Sequence, residues 1–111
     1  MKWNELTSME GLDALIESSE DTPVMLFKHS TRCSISSTAL DRMMRNWKDE
    51  DSLRVTPFYL DLLNYRPISN AIAEKTGVEH QSPQVILLKN KKAVWEASHW
   101  DIDYSELMKQ V

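Results

Sequence analysis

The stretch from Val24 to Trp47 constrains the fold most strongly, because a short apolar run passes through a polar turn into an amphipathic segment. The run Val24-Met25-Leu26-Phe27 has the length and the flanking residues of a buried β-strand. Beyond the turn, apolar residues recur at helical spacing, at Leu40, Met43, Met44 and Trp47. The pattern predicts a strand that leads into a helix, with Cys33, the only cysteine of the chain, at the junction between them.

The predicted position of Cys33 favours a reactive thiolate. The N-terminus of a helix carries unpaired N–H groups and the positive end of the helix dipole. Arg32 adds a fixed positive charge, and His29 can add another. Environments of this kind lower the pKa of a cysteine from its usual value of about 8.5. A lone cysteine is often an inert buried hydrophobe, but Ser30-Thr31-Arg32 and Ser34-Ile35-Ser36 around it are too polar for a core. Cys33 is therefore predicted to be the catalytic nucleophile.

Composition limits the possible functions. The length of 111 residues predicts a single domain over residues 1–111, and the net charge of −4 argues against nucleic acid as a partner. No apolar run approaches the ~20 residues of a membrane span, and Met1–Glu5 has no signal-peptide pattern, so no membrane partner is expected. One cysteine excludes an internal disulfide, which makes the cytoplasm the expected compartment. With three scattered histidines it gives no metal-ligand spacing, so no metal is expected.

The rest of the chain predicts alternating strands and helices. A short edge strand is expected at residues 3–6, and Thr7 with Glu10 fits a capping box that starts the first helix. A third strand is predicted over residues 53–61, with irregular pairing at Pro57. A helix that begins near Pro67 and ends at Gly77 follows. A hairpin of residues 84–97 and a last helix capped by Asp101 or Asp103 complete the order β-α-β-α-β-α-β-β-α.

This order resembles the α/β thioredoxin-like fold, in which about four helices flank a central mixed sheet of four to five strands. In that fold a cysteine follows the second strand and an X-Pro bond precedes the fourth, as Cys33 and Ser82-Pro83 do here. The resemblance implies that Pro83 is cis and close to Cys33. It also implies that the backbone of Ser82 binds an extended substrate as an added strand.

A closer resemblance is to the monothiol bacilliredoxins of the YtxJ type, which have a Thr-Cys-Pro-Ile-Ser active site after a strand that ends in Phe-Lys-His-Ser. The matching stretch here is Phe27-Lys28-His29-Ser30-Thr31-Arg32-Cys33-Ser34-Ile35-Ser36. Further matches are Asp61, Arg66, Ile68-Ser69, Ile72-Ala73, Gly77-Val78 and Ser82-Pro83-Gln84. The sequence departs from the family at two positions: Arg32 separates Thr31 from Cys33, and Ser34 stands where the family has a proline pre-set for the first helical turn.

The resemblance implies a bacterial, cytoplasmic thiol-disulfide oxidoreductase that removes bacillithiol from bacillithiolated client proteins during oxidative stress. Bacillithiol, a cysteinyl-glucosamine-malate thiol used in place of glutathione, would be the low-molecular-weight co-substrate, with no tightly bound cofactor. The Cys33 thiolate would attack the bacillithiol sulfur. Because the i+3 position holds Ser36, a second thiol must come from outside. Ser36 either hydrogen-bonds the thiolate or is simply a polar residue of the first helical turn.

Other residues are candidates for substrate binding. Arg32 and Lys28 could meet the malate carboxylates, although Lys28 could equally be a solvated lysine at a strand end. Trp100 and Asp101, predicted to open the last helix, could bind the far end of the thiol cofactor, or Trp100 could cap the core. Two other functions stay open: an iron–sulfur carrier, whose usual Cys-Gly-Phe-Ser turn differs from the sequence at Ser34-Ile35, and a non-catalytic interaction module.

Overall fold

The protein forms one five-stranded mixed sheet covered by helices on both faces. The computed structural model describes residues 2–111. The strand order is β1-β3-β2-β4-β5, in which β1 and β2 run parallel to β3, and β4 runs antiparallel to β2 and β5. The strands are β1 Asn4–Glu5, β2 Val24–His29, β3 Thr56–Asp61, β4 Gln84–Lys89 and β5 Lys92–Ser98. The predicted thioredoxin-like fold is confirmed.

Residues 2–111 also form five α-helices and one short 3-10 helix. The helices are α1 Met9–Ser18, α2 Ser34–Asn46, α3 Asp51–Arg54, α4 Arg66–Thr76, the 3-10 helix His99–Asp101 and α5 Tyr104–Gln110. As predicted, Pro67 lies in the first turn of α4, and Gly77 ends this helix at φ 73°. In this left-handed region glycine has no Cβ to strain the backbone. Within residues 2–111, none of the helices is both long and apolar enough to span a membrane.

Two apolar layers hold the helices on the sheet, one on each face. Side chains of α1 and α4 pack with alternate residues of β2 and β4, and the buried members include Leu12, Leu15, Leu26, Ile72 and Ile86. On the other face α2 and α5 pack around Met25, Phe27, Ala39, Met43 and Leu107. Because side chains alternate along a strand, Lys28 belongs to the first face and His29 to the second. This division separates the environments of two neighbouring residues.

The structure corrects three local predictions between residues 7 and 57. Ser8, rather than Thr7, caps α1, and its hydroxyl accepts the Gly11 N–H at 3.0 Å. β3 begins only at Thr56, and Leu53 lies in α3 with 85% of its surface exposed. The predicted irregular pairing at Pro57 is wrong, because the ladder with β2 is continuous through this residue.

The position of Pro57 explains why the sheet tolerates it. The N–H and C=O of one strand residue point to the same neighbour, and the Pro57 carbonyl accepts a hydrogen bond from Asn4 Nδ2 at 3.1 Å, on the β1 side. Pairing with β1 starts one residue later, at Phe58. The missing N–H of the proline therefore points to a side where no strand requires it.

Candidate active site

Cys33 lies in a tight turn between β2 and α2. The Cys33 N–H donates to the Ser30 carbonyl at 3.2 Å, which closes the turn, and the Cys33 carbonyl accepts the Ser37 N–H at 3.1 Å, which starts the helix. Cys33 itself is the N-cap residue, with extended backbone angles of φ −109° and ψ 119°. Its side chain is partly exposed, whereas Thr31 and Arg32 are exposed. The thiol is therefore accessible at the predicted junction.

The N-cap position places Cys33 beside the backbone donors at the start of α2. A side chain at this position usually accepts an N–H from the second or third helical residue, which here are Ile35 and Ser36. The Cys33 side chain makes no capping hydrogen bond in this structure, and the first turn of α2 contains no acidic residue. A thiolate at Cys33 would thus meet two backbone N–H groups without a competing carboxylate.

The Ser36 side chain has a different role from the predicted one. It is fully buried, and its hydroxyl accepts the Ser30 N–H at 3.0 Å and lies 2.6 Å from His29 Nδ1. The predicted hydrogen bond from this hydroxyl to the Cys33 thiolate is therefore corrected: the hydroxyl joins the end of β2 to the first turn of α2. Any direct stabilisation of the thiolate by Ser36 comes from its backbone N–H.

His29 is the buried partner of this hydroxyl. Its ring packs at 5.6 Å from the Tyr59 ring and 6.4 Å from the Phe27 ring, measured between centroids. Burial lowers the pKa of His29, and the Asp61 carboxylate on the neighbouring strand opposes this effect. Burial therefore favours the neutral imidazole, so the positive charge expected of His29 beside the thiol is not favoured.

Pro83 lies at the same end of the central strands as the Cys33 turn. The Ser82-Pro83 bond is cis, as predicted, and Gln84, the next residue, pairs with Lys28 near the end of β2. The Pro83 carbonyl accepts the His99 N–H at 3.1 Å, which fixes the 3-10 helix beside it. The binding role of Ser82 and Pro83 stays a prediction, but the topology brings both to the thiol end of β2.

Trp100 and Asp101 do not open the last helix. They belong to the separate 3-10 helix, which begins at His99 with φ 54°, while α5 starts later with Asp103 as its cap. Trp100 is 63% exposed and therefore does not cap the core. Trp100 belongs to the 3-10 helix that is hydrogen-bonded to the Pro83 carbonyl. Its exposed indole is available to a ligand.

Lys28 does not lie on the surface near the thiol. The side chain is fully buried on the face of the sheet that α1 and α4 cover, whereas Cys33 precedes α2 on the other face. Lys28 Nζ lies 2.6 Å from His80 Nδ1 and donates to Gln84 Oε1 at 3.2 Å. Both earlier expectations, a solvated lysine and a contact with malate, are wrong for this arrangement.

The surroundings of Lys28 form a partly buried polar network that the sequence did not reveal. The Gln84 amide donates to the Glu79 carbonyl at 3.0 Å and to Glu96 Oε2 at 3.1 Å. The Ser69 hydroxyl lies 3.4 Å from His80 Nδ1. Ser69 and Gln84 both fall within the stretches that match the family, which was the one available signal, but no pattern indicated that they lie around the Lys28–His80 contact.

Because of Lys28, the free energy of unfolding should change with pH in the alkaline range. Burial lowers the pKa of Lys28 to about 8 from 10.5, so between these values the unfolded chain binds more protons and stability rises with pH. The full shift corresponds to roughly 3 kcal/mol, or about 2 kcal/mol after allowance for solvent screening. We expect this rise in wild-type urea unfolding curves from pH 8 to 10.5 and its loss in Lys28→Met, with Lys89→Met as control. Parallel pH curves for wild type and Lys28→Met would contradict the expectation.

Within residues 2–111, no group of three histidine, cysteine or acidic side chains is close enough to hold a metal ion. The fold and the cysteine at the start of α2 instead define a thiol oxidoreductase of the thioredoxin fold. More specifically, the chain belongs to the monothiol bacilliredoxin family, because the profile of monothiol bacilliredoxin BrxC matches residues 4–107.

Solved structures agree with the thioredoxin-like fold. The chain is similar to an oxidoreductase described by its thioredoxin fold, with 32% identity, a TM-score of 0.80, and coverage of 96% of this chain and 90% of the other. Thioredoxin of Malassezia sympodialis matches with 15% identity and a TM-score of 0.74, over 97% of this chain and 86% of the other. Mitochondrial thioredoxin 3 of Saccharomyces cerevisiae matches with 13% identity and a TM-score of 0.70, over 96% and 91%. The last two likenesses concern the fold alone.

Proposed function

We propose that the protein releases bacillithiol from mixed disulfides on client proteins, in a bacterial cytoplasm under oxidative stress. The observation that carries the proposal is the single thiol of the chain, Cys33, which is partly exposed at the N-cap of α2 in a member of the monothiol bacilliredoxin family. A protein with one thiol can exchange disulfides only with thiols from outside itself. The small thiol that the family name indicates is therefore proposed as the co-substrate.

The reaction begins when the Cys33 thiolate attacks the bacillithiol-side sulfur of the mixed disulfide. A new S–S bond joins Cys33 to bacillithiol, the old S–S bond breaks, and the client thiolate leaves and takes up a proton. In this step the client is reduced and Cys33 is oxidised. The N–H groups of Ile35 and Ser36 stabilise the thiolate before attack and again when it is released.

A second thiol must complete the cycle. Position 36, where a second active-site cysteine would stand three residues after the first, holds a buried serine. The thiolate of a second bacillithiol attacks the bacillithiol sulfur on Cys33, which yields bacillithiol disulfide and regenerates the Cys33 thiolate. Overall, one mixed disulfide and one thiol become one client thiol and one small disulfide, so atoms and electrons balance.

Exposed groups around Cys33 are proposed to select this thiol. Arg32 can attract the malate carboxylates, and Asp101 can accept a hydrogen bond from the cysteinyl ammonium. The exposed Trp100 indole offers a flat surface to the sugar ring, and the Ser82 backbone offers donors and acceptors to the client chain. Exposed ion pairs contribute only about 0–1 kcal/mol, so these charges adjust preference and rate more than they create affinity.

The test compares two forms of one client protein that carry either bacillithiol or glutathione on the same cysteine. We expect faster release of bacillithiol than of glutathione, because the γ-glutamyl arm of glutathione does not present the same charges to Arg32 and Asp101. Mass spectrometry of the client would follow both reactions at equal enzyme concentration. Equal rates would contradict the assignment of bacillithiol and leave a general monothiol reductase, and an inactive wild type would contradict the oxidoreductase function.

A further inference from the structure

Side chains, rather than regular secondary structure, fix the loop that leads to the cis-proline. This loop, residues 78–82, follows α4 and ends at Ser82. Gln84 holds it at two points: its amide donates to the Glu79 carbonyl at 3.0 Å, and its Oε1 accepts the Gln81 N–H at 3.4 Å. Lys28 holds the loop at a third point, because its Nζ lies 2.6 Å from His80 Nδ1.

The Lys28–His80 contact requires a neutral imidazole. An ammonium group has only donors, so His80 Nδ1 must accept the hydrogen bond and carry no proton. Lys28 from β2 and Arg66 and Ser69 from α4 face His80. Gln84 of β4 accepts from the Lys28 ammonium, and Glu96 of β5 accepts from the Gln84 amide. Burial lowers the pKa of His80, and the charges of Lys28 and Arg66 lower it further.

We propose that Lys28 and His80 form a pH-sensitive latch that positions the Ser82 backbone for the client disulfide. The inference rests on the proposed function, and it assigns these two residues as positioning residues that do not touch the reacting sulfurs. When His80 takes up a proton, Nδ1 becomes a donor, the hydrogen bond is lost and two cations face each other. The loop then leaves its position, and binding of the client weakens while the chemistry at Cys33 is unchanged.

Two substitutions of His80 separate this role from a merely structural one. Asparagine can place its Oδ1 where Nδ1 lies and can accept from Lys28, but it does not titrate, whereas leucine fills the site without an acceptor. We expect His80→Leu to raise KM about tenfold at every pH, since a hydrogen bond to a charged group is lost, and His80→Asn to restore KM at pH 7.5. From pH 7.5 to 5, KM should rise about tenfold in the wild type relative to His80→Asn.

Dividing the KM of the wild type by the KM of His80→Asn cancels every pH-dependent step that the two proteins share, including the thiol exchange itself. A ratio of KM values that stays flat from pH 7.5 to 5 would overturn the latch, as would a change confined to kcat. A second readout does not depend on activity: the amide signals of Gln81 and Ser82 in NMR spectra should shift over this range in the wild type and not in His80→Asn. Should the wild type release no bacillithiol, the proposed function fails, and the amide shifts still decide whether the latch exists.

Discussion

Replacing Cys33 with serine should reduce the release of bacillithiol from a client to the uncatalysed background rate. The chain has no other thiol, so no neighbouring group can form the mixed disulfide that the cycle requires. A serine hydroxyl in the same place stays protonated at neutral pH and cannot attack the disulfide sulfur in place of the thiolate. The N–H groups of Ile35 and Ser36 stay in place in this variant, but they have no thiolate to stabilise.

The measurement pairs turnover with the mass of the protein itself. After exposure to bacillithiol disulfide, the wild type should gain one bacillithiol per chain on Cys33, and Cys33→Ser should gain none. Ser37→Ala is a matched control, because its side chain is exposed one turn into the same helix. We expect this control to keep the adduct and the turnover of the wild type. Turnover of Cys33→Ser above background would show that another group performs the chemistry.

Local sequence signals predicted much of the fold. The apolar run at Val24, bounded by a loop and the polar turn, gave β2 its observed limits, and the helical spacing after Cys33 gave α2. Pro67 and Gly77 marked the two ends of α4 correctly. These features depend on residues close in sequence, whose backbone preferences hold in many contexts. The position of Cys33 could be predicted from the same signals, because this residue lies between the end of β2 and the start of α2.

The errors occurred where neighbouring residues compete for one role or where the deciding contact is distant. Thr7 and Ser8 both have capping hydroxyls, and only the structure shows that Ser8 meets the Gly11 amide. Residues 51–54 form α3, so residues 53 and 54 do not start β3 as predicted, and the Asp51 carboxylate accepts the Lys48 N–H at 2.9 Å. Contacts between side chains that are far apart in the sequence leave no periodic pattern in it.

Lys28 is the clearest case of a distant contact. Its place at the end of β2 resembled an exposed strand terminus, because the sequence does not indicate what covers it. The covering residue is His80, 52 positions later, in a loop without a regular pattern. Ser36 was likewise assigned to its sequence neighbour Cys33, although its hydroxyl points to the strand that precedes the turn.

Ser36→Ala should destabilise the protein by about 2–4 kcal/mol, because it leaves the buried Ser30 N–H and His29 Nδ1 without their shared partner. The same hydroxyl joins β2 to the first turn of α2, so its loss should also let the Cys33 turn move and slow release of bacillithiol about tenfold.

Urea unfolding at pH 7.5 measures the first effect, with Ser37→Ala as control, since an exposed serine should change stability by no more than about 0.5 kcal/mol. The second effect is measured well below the unfolding transition, where both variants are folded and a change in turnover reflects the turn itself. Nitrogen chemical shifts of the His29 ring give an independent readout: in the wild type the bond to Ser36 fixes one tautomer, and in Ser36→Ala the two tautomers should mix.

Equal unfolding free energies for the two alanine variants would contradict a supporting role for the Ser36 hydroxyl. Unchanged turnover in a destabilised Ser36→Ala would confine that role to the fold and leave the Cys33 turn held by its own backbone hydrogen bonds.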